Sequence, residues 1–136
     1  MKVKLDKGAI MPTRAHDTDA GIDFYTPITC AIPAQGYAFI DTGVHIEVPH
    51  GTFGSIRSKS GLNRYHGITA DGVVDEGYTG TVGITLHNSG INPKLFMRGD
   101  KIAQVVITPV EYVSIEQVDE ISGGDRGDDG YGSTGR

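Results

Sequence analysis

The sequence has no tryptophan, a single cysteine and six prolines among 136 residues, and no apolar run nears the ~18 residues that suggest a membrane span. With Cys30 alone, an intrachain disulfide and a cysteine-rich metal cluster are excluded, and a reducing compartment is the natural setting. Positive charge is scarce as well: 12 Lys and Arg stand against 17 Asp and Glu, for a formal net charge of -5. That balance argues against gripping duplex nucleic acid through many phosphates. It leaves a small phosphorylated ligand open, because one or two cations and a magnesium ion hold a triphosphate by local charge. No nucleic-acid partner and no membrane partner are expected. The opening residues Met1 to Lys7 carry charge throughout and lack the apolar stretch of a secretory signal. A cytoplasmic setting is expected, in the cytoplasm of a host if the chain is viral.

Glycine, by contrast, is abundant: 20 of 136 residues, about twice the ~7% usual in globular chains. Turn signals recur at Gly43, Pro49-His50-Gly51 and Asn88-Ser89-Gly90. Between them lie short segments rich in Val, Ile, Thr and Tyr with partial period-two alternation: Tyr37 to Asp41, Val44 to Val48, Thr81 to His87, Lys101 to Thr108 and Tyr112 to Val118. The pattern predicts one all-β domain, a sandwich or jelly roll, with one short helix over Ser60 to Tyr65. The chain is expected to divide into a β domain over 1–120 and an arm over 121–136. Six of the last 16 residues are glycines, and charge is concentrated in Asp125-Arg126-Gly127-Asp128-Asp129. Composition reads this as a disordered acidic tail. The alternative is an arm that orders on binding, with an arginine, an aromatic ring and a hydroxyl pair set among glycines that approach phosphates closely.

The segment Gly72-Val73-Val74-Asp75-Glu76-Gly77-Tyr78-Thr79-Gly80 places an acid and an aromatic three apart, and a β-hairpin is expected around it. Taken singly, Asp75 reads as a turn residue and Tyr78 as core or interface. Ser60 reads equally as a helix N-cap, Gln104 as a solvated strand residue and Asp23 as a turn aspartate. The five histidines (His16, His45, His50, His66, His87) show no i, i+4 pair of the kind that holds a metal on a helix, and they read as structural or surface residues. Glu111 to Glu120 reads as a solvated strand edge and linker.

Five segments together, in order, resemble the five motifs of the trimeric dUTP pyrophosphatase (dUTPase) family. They are Ala20-Gly21-Ile22-Asp23, Lys59-Ser60-Gly61-Leu62, Gly72 to Gly80, Arg98-Gly99-Asp100-Lys101-Ile102-Ala103-Gln104 and Arg126 to Gly135, and they span essentially the whole chain. Each motif is weak alone; the ordered set of five is not. The resemblance implies a jelly-roll-like β-sandwich, a homotrimer with active sites at subunit interfaces and a flexible glycine-rich C-terminal arm. The activity it implies is magnesium-dependent hydrolysis of dUTP to dUMP and pyrophosphate, which lowers dUTP and supplies dUMP for thymidylate synthesis.

By position, the resemblance implies that Asp75 activates the water attacking the α-phosphorus, a task for which a carboxylate is suited as general base. Tyr78 packs on the deoxyribose and leaves no room for a 2′-hydroxyl. Main-chain groups around Thr69, Gly72, Val73 and Val74 read the uracil edge, and cytosine fails there because its donor and acceptor are reversed, at roughly 1–3 kcal/mol for each polar group left unpaired. Lys59, Ser60, Gly61 and Gln104 contact the phosphate chain. Asp23 hydrogen-bonds water on a Mg2+ ion held mainly by phosphate oxygens. From the arm, Arg126 pairs with the γ-phosphate, Tyr131 stacks on uracil, and Gly132, Ser133 and Thr134 approach the terminal phosphates, often in a neighbour's site. Two residues depart from the family pattern. Lys59 stands where arginine is usual, so the phosphate contact passes to a point charge or to Arg57; Tyr131 stands where phenylalanine is usual and keeps the stacking face.

Two other readings share these features. A dCTP deaminase, with or without pyrophosphatase activity, resembles the same fold and would use a carboxylate near the base, for which Glu76 is the candidate. A nucleotide-dependent regulator would keep the fold and lose turnover, against which intact Asp75, Tyr78 and Arg126 argue.

Overall fold

The structure, a computed structural model, describes residues 1–121, 123, 124 and 127. Period-two alternation becomes strands that place one face inward. In β9 (Gly83–Asn88) Ile84, Leu86 and Asn88 are buried while the residues between them are not; β5 (Val44–Ile46) buries Val44 and Ile46 around His45. Two larger antiparallel sheets result. One has the order β2 (Gly21–Tyr25), β11 (Lys101–Pro109), β6 (Thr52–Arg57), β8 (Asp71–Val74); the other is β4 (Gly36–Asp41), β9, β7 (Ile68–Thr69). Two ribbons complete the β-sandwich, β1 (Val3–Leu5) with β5 and β10 (Lys94–Phe96) with β3 (Cys30–Ile32). The apolar faces merge in a single core that includes Phe24, Ile56 and Val105 from the first sheet and Ile40, Ile68, Ile84 and Leu86 from the second. Each such side chain contributes roughly 1.5–3 kcal/mol by leaving water.

The expected strands at Tyr37–Asp41, Val44–Val48, Thr81–His87 and Lys101–Thr108 are present with small shifts of boundary. The one expected at Tyr112–Val118 is not: the segment has no regular structure, and Val113 and Ile115 are 74% and 97% exposed. Its alternation is real, but among the described residues no strand lies beside it to complete a ladder. Glu111–Glu120 is therefore not a strand edge. The helix α1 (Ser60–His66) starts where expected and runs one residue further; Lys59 occupies the N-cap and makes no side-chain cap bond, so Ser60 is the first helical residue rather than its cap.

The hairpin expected around Gly72–Gly80 also gives way to another connection, since β8 pairs with β6 while β9 pairs with β4 and β7. β7 pairs with β9 and β8 pairs with β6, so the chain leaves one sheet and enters the other at buried Ala70. The backbone polar groups freed at that crossing must find partners. The Ser58 hydroxyl supplies both, accepting from the Ala70 N-H at 2.9 Å and donating to the Ala70 carbonyl at 3.1 Å.

Candidate active site

One row of residues runs across the first sheet. Asp23 on β2 faces Gln104 on β11, Gln104 faces Arg57 on β6, and Arg57 faces Asp71 on β8. A β-bulge makes the row possible: the register slips between Lys101 and Ala103, so Lys101 pairs with Tyr25 while Gln104 pairs with Asp23. In a regular strand residues three apart point to opposite faces; the extra residue puts Lys101 and Gln104 on one face. Ile102 and Ala103 are then both buried, which alternation alone would forbid.

Asp23 is 3% exposed and bound by two ammonium groups, Lys59 Nζ on Oδ1 and Lys101 Nζ at 2.7 Å from Oδ2. Burial pushes its pKa up; the hydrogen bonds and charges of Lys101 and Lys59 outweigh that and hold it below the ordinary value. The same contact raises Lys101. Lys59, expected as a phosphate ligand, thus also neutralises Asp23. Gln104 donates to the Ser58 carbonyl at 3.0 Å. Gly21 gives the glutamine its space, since a Cβ there would collide with the Gln104 amide. Just beyond Ser58, α1 begins with Ser60 and Gly61 exposed. The first helical hydrogen bond is made by Asn63, to Lys59 at 2.9 Å, so the N-H groups of Ser60, Gly61 and Leu62 have no partner within the helix.

Asp75 lies at the other end. It opens a turn closed by Tyr78 N-H to Asp75 O at 3.2 Å, with Gly77 at φ +81, the left-handed third position that a type II turn requires. Asp75 is exposed and borders a cleft of about 310 Å³ with Phe53, Val73 and Tyr112. Tyr78 is 49% exposed, donates to the Thr81 carbonyl at 3.0 Å, and lies over Gly80 so closely that a side chain there would collide with the ring. On its other side is a depression of about 550 Å³ bordered by Lys2, Lys4 and His45. The strand before the turn, β8, is an edge strand with Asp71, Gly72 and Val73 exposed; its outer main-chain groups are available to a ligand. Thr69, on β7, is exposed but belongs to the other sheet.

Glu76 holds the turn in place. It accepts from His50 Nδ1 at 2.7 Å, from the Gly51 N-H at 3.0 Å and from the Tyr112 hydroxyl at 2.5 Å. The Tyr112 and His50 bonds, in that order, lower its carboxyl to about 2, and Glu76 in turn raises His50. Both oxygens are committed, so the carboxylate that a deaminase would need free is occupied. His45 supports the far side of the loop, bonding the Thr79 carbonyl at 2.7 Å and Asp6 at 3.1 Å.

The two groups do not meet within one chain. Asp75 lies four residues along β8 from Asp71, and Asp71 lies three strands from Asp23. At ~3.3 Å per residue and ~4.8 Å per strand, Asp75 and Asp23 are on the order of 19 Å apart. Arg126, Tyr131, Gly132, Ser133 and Thr134 lie outside the described residues. Lys101, His50 and Tyr112 were not legible as site neighbours, because the bulge and the turn contacts that recruit them leave no spacing signal.

The dUTPase family model matches residues 7–135 of the chain. The chain belongs to the dUTPase family. A deoxyuridine 5'-triphosphate nucleotidohydrolase of Gloeothece citriformis is 44% identical over 135 residues, 97% of this chain and 93% of that protein. Among solved structures, the Staphylococcus bacteriophage 80alpha dUTPase with dUPNHPP has a TM-score of 0.91 at 31% identity, covering 99% of this chain and 98% of the other. A mutant dUTPase from phage phi11 of S. aureus, which reveals the coordination of a structural Mg(II) ion, has a TM-score of 0.80 at 30% identity, over 88% and 96% of the two chains. Membership in the dUTPase family agrees with the β-sandwich and the one short helix among the described residues.

Proposed function

We propose that the chain is a dUTP diphosphatase, hydrolysing dUTP to dUMP and pyrophosphate by attack of an Asp75-activated water on the α-phosphorus. The observation that carries this reading is the Asp75–Tyr78 turn: an exposed carboxylate on a loop held from both sides, next to an edge strand and to the aromatic that would face the sugar. Val73, Val74, Gly72 and Thr69 supply main-chain groups for uracil. Ser60, Gly61, Gln104 and either Lys59 or Arg57 bind phosphate, with Arg57 exposed in the same row as Gln104.

The separation of Asp75 from that row supports a site shared between chains, and a homotrimer with sites at its interfaces answers it. The β domain over 1–120 would supply both halves, and 121–136 would be the arm that closes a neighbour's site with Arg126, Tyr131, Gly132, Ser133 and Thr134. Closure would exclude water other than the nucleophile.

Among the described residues no three His, Cys, Asp or Glu side chains gather to hold a metal ion. That donor set fits magnesium carried on the triphosphate oxygens, since Mg2+ keeps several waters and needs few protein ligands. Asp23 would touch one of those waters through a lone pair left beside Lys59 and Lys101. When bound, the ion fixes the triphosphate and neutralises charge on leaving pyrophosphate. We also propose a cytoplasmic setting; no helix among the described residues is long and apolar enough to cross a membrane.

Pyrophosphate release from dUTP, dCTP, dTTP and UTP, each with magnesium and with chelator, tests the reading. Turnover of dUTP alone, lost on chelation, is expected; ammonia from dCTP, or binding of dUTP without turnover, would overturn it. Gly21→Val, which pushes Gln104 out of place, is expected to raise KM for dUTP roughly fivefold, the equivalent of one hydrogen bond of about 1 kcal/mol. An unchanged KM would remove Gln104 from the phosphate site.

A further inference from the structure

We infer that Glu76 is a positioning residue for catalysis: clamped by His50, the Gly51 N-H and Tyr112, it sets where the neighbouring Asp75 carboxylate sits. The inference rests on the reading of Asp75 as the general base.

The geometry leads there directly. Asp75 makes no side-chain hydrogen bond among the described residues and is exposed, so nothing it touches fixes its position. Its backbone position is set by the turn, and that turn has one side chain reaching into the fold on this side, Glu76. The three contacts to Glu76 come from two separate parts of the chain: His50 and Gly51 from the connection between β5 and β6, and Tyr112 from the segment after β11. A carboxylate that accepts three bonds from two different elements has little room to move. The next peptide bond back belongs to Asp75, so a shift of the Glu76 anchor moves the base with it. Displacement of about 1 Å at a reacting group is enough to cost as much as 10²-fold.

The contact also links the base to the beginning of the C-terminal segment, since Tyr112 lies three residues after the end of β11. The titratable groups around Glu76 are His50 and Tyr112 in contact, Asp75 beside it and Glu47 at the edge of a depression of about 440 Å³ that His50 and Glu76 also line. Of these, only His50 is cationic. As pH rises through its raised pKa, the clamp loses its positive charge and keeps its neutral hydrogen bonds.

The test is steady-state kinetics on dUTP for Glu76→Ala, Glu76→Gln, Tyr112→Phe, His50→Gln and Asp75→Asn. Glu76→Ala is expected to lower kcat roughly tenfold or more with KM changed less than about twofold. Glu76→Gln, whose amide oxygen still accepts from Gly51 or Tyr112, should restore most of the loss. Tyr112→Phe should lower kcat about threefold, as expected for the loss of one hydrogen bond. In the wild-type chain kcat should decline with pH through the His50 pKa, and His50→Gln should abolish that step. Wild-type kcat in Glu76→Ala, or a loss shared equally by kcat and KM with no rescue by Gln, overturns the inference. Should Glu76→Ala fail to fold, Tyr112→Phe and His50→Gln decide it: wild-type kcat in both overturns it. If Asp75→Asn is fully active, the reading of the base fails; if Asp75→Asn is dead while the Glu76 set is unaffected, only the clamp fails.

Discussion

Asp75→Asn is expected to lower kcat for dUTP by about 10³-fold, within the 10²–10⁴ range of a lost general base, while dUTP analogues still bind. Asparagine keeps the shape of the carboxyl and its place in the turn. It cannot take a proton from water. Because the fold holds this loop through Glu76 on one side and His45 on the other, the substitution should leave the turn in place and the loss should fall on chemistry alone. Pyrophosphate release gives kcat, and calorimetric titration with a non-hydrolysable analogue gives affinity. Activity within tenfold of wild type would exclude Asp75 as the base, and a parallel loss of affinity would assign it to binding.

Asp23→Asn carries the largest expected change in stability. The substitution removes the carboxylate that both Lys59 and Lys101 contact and leaves two ammonium groups facing a neutral amide. Breaking a fully buried pair by deleting one partner costs about 3–5 kcal/mol, and an exposed pair contributes about 0–1 kcal/mol; with both lysines reaching solvent here, about 1–2 kcal/mol is expected at neutral pH. The dependence on pH follows from the direction of the shift. The folded pKa of Asp23 is depressed below its ordinary 3.8, so its charge contributes in full above that value, and the contribution fades as pH falls through the lower folded pKa. Wild type and variant should therefore differ most in denaturant midpoint at neutral pH and converge in strong acid. Protein concentration must be held fixed in that comparison, because assembly itself shifts apparent stability. A difference that grew toward acid would show that the lysines hold something other than this carboxylate.

Much of the fold could be read from alternation, and the limits of that reading are physical. β4, β9 and β11 bury one side of a sheet, so the period of two was plain in Ile84 and Leu86. The same alternation could not distinguish a hairpin around Gly72–Gly80 from a crossing between sheets. That choice is made by the Ser58 hydroxyl, which satisfies Ala70 from twelve residues away. Tyr112–Val118 shows the reverse failure, a strand pattern without a neighbouring strand among the described residues. At the site, the motif order pointed to Asp75, Tyr78, Ser60 and Gln104 as candidates, but Lys101 reaches Asp23 only because of a one-residue bulge, and no composition signals a bulge. Glu76 was weighed as a free carboxylate for deamination; its three partners are distant in sequence, and only the fold brings them together.

The distance between Asp75 and the Asp23–Gln104 row has a consequence for the cell as well as for the site. If each polypeptide carries two incomplete halves, then catalytic capacity rises more steeply than linearly with the number of chains made, and a scarce enzyme is disproportionately poor. Inheritance is affected too. A chain damaged in one half would still lend its sound half to a neighbour, so two alleles broken at different ends could together keep the nucleotide pool clean.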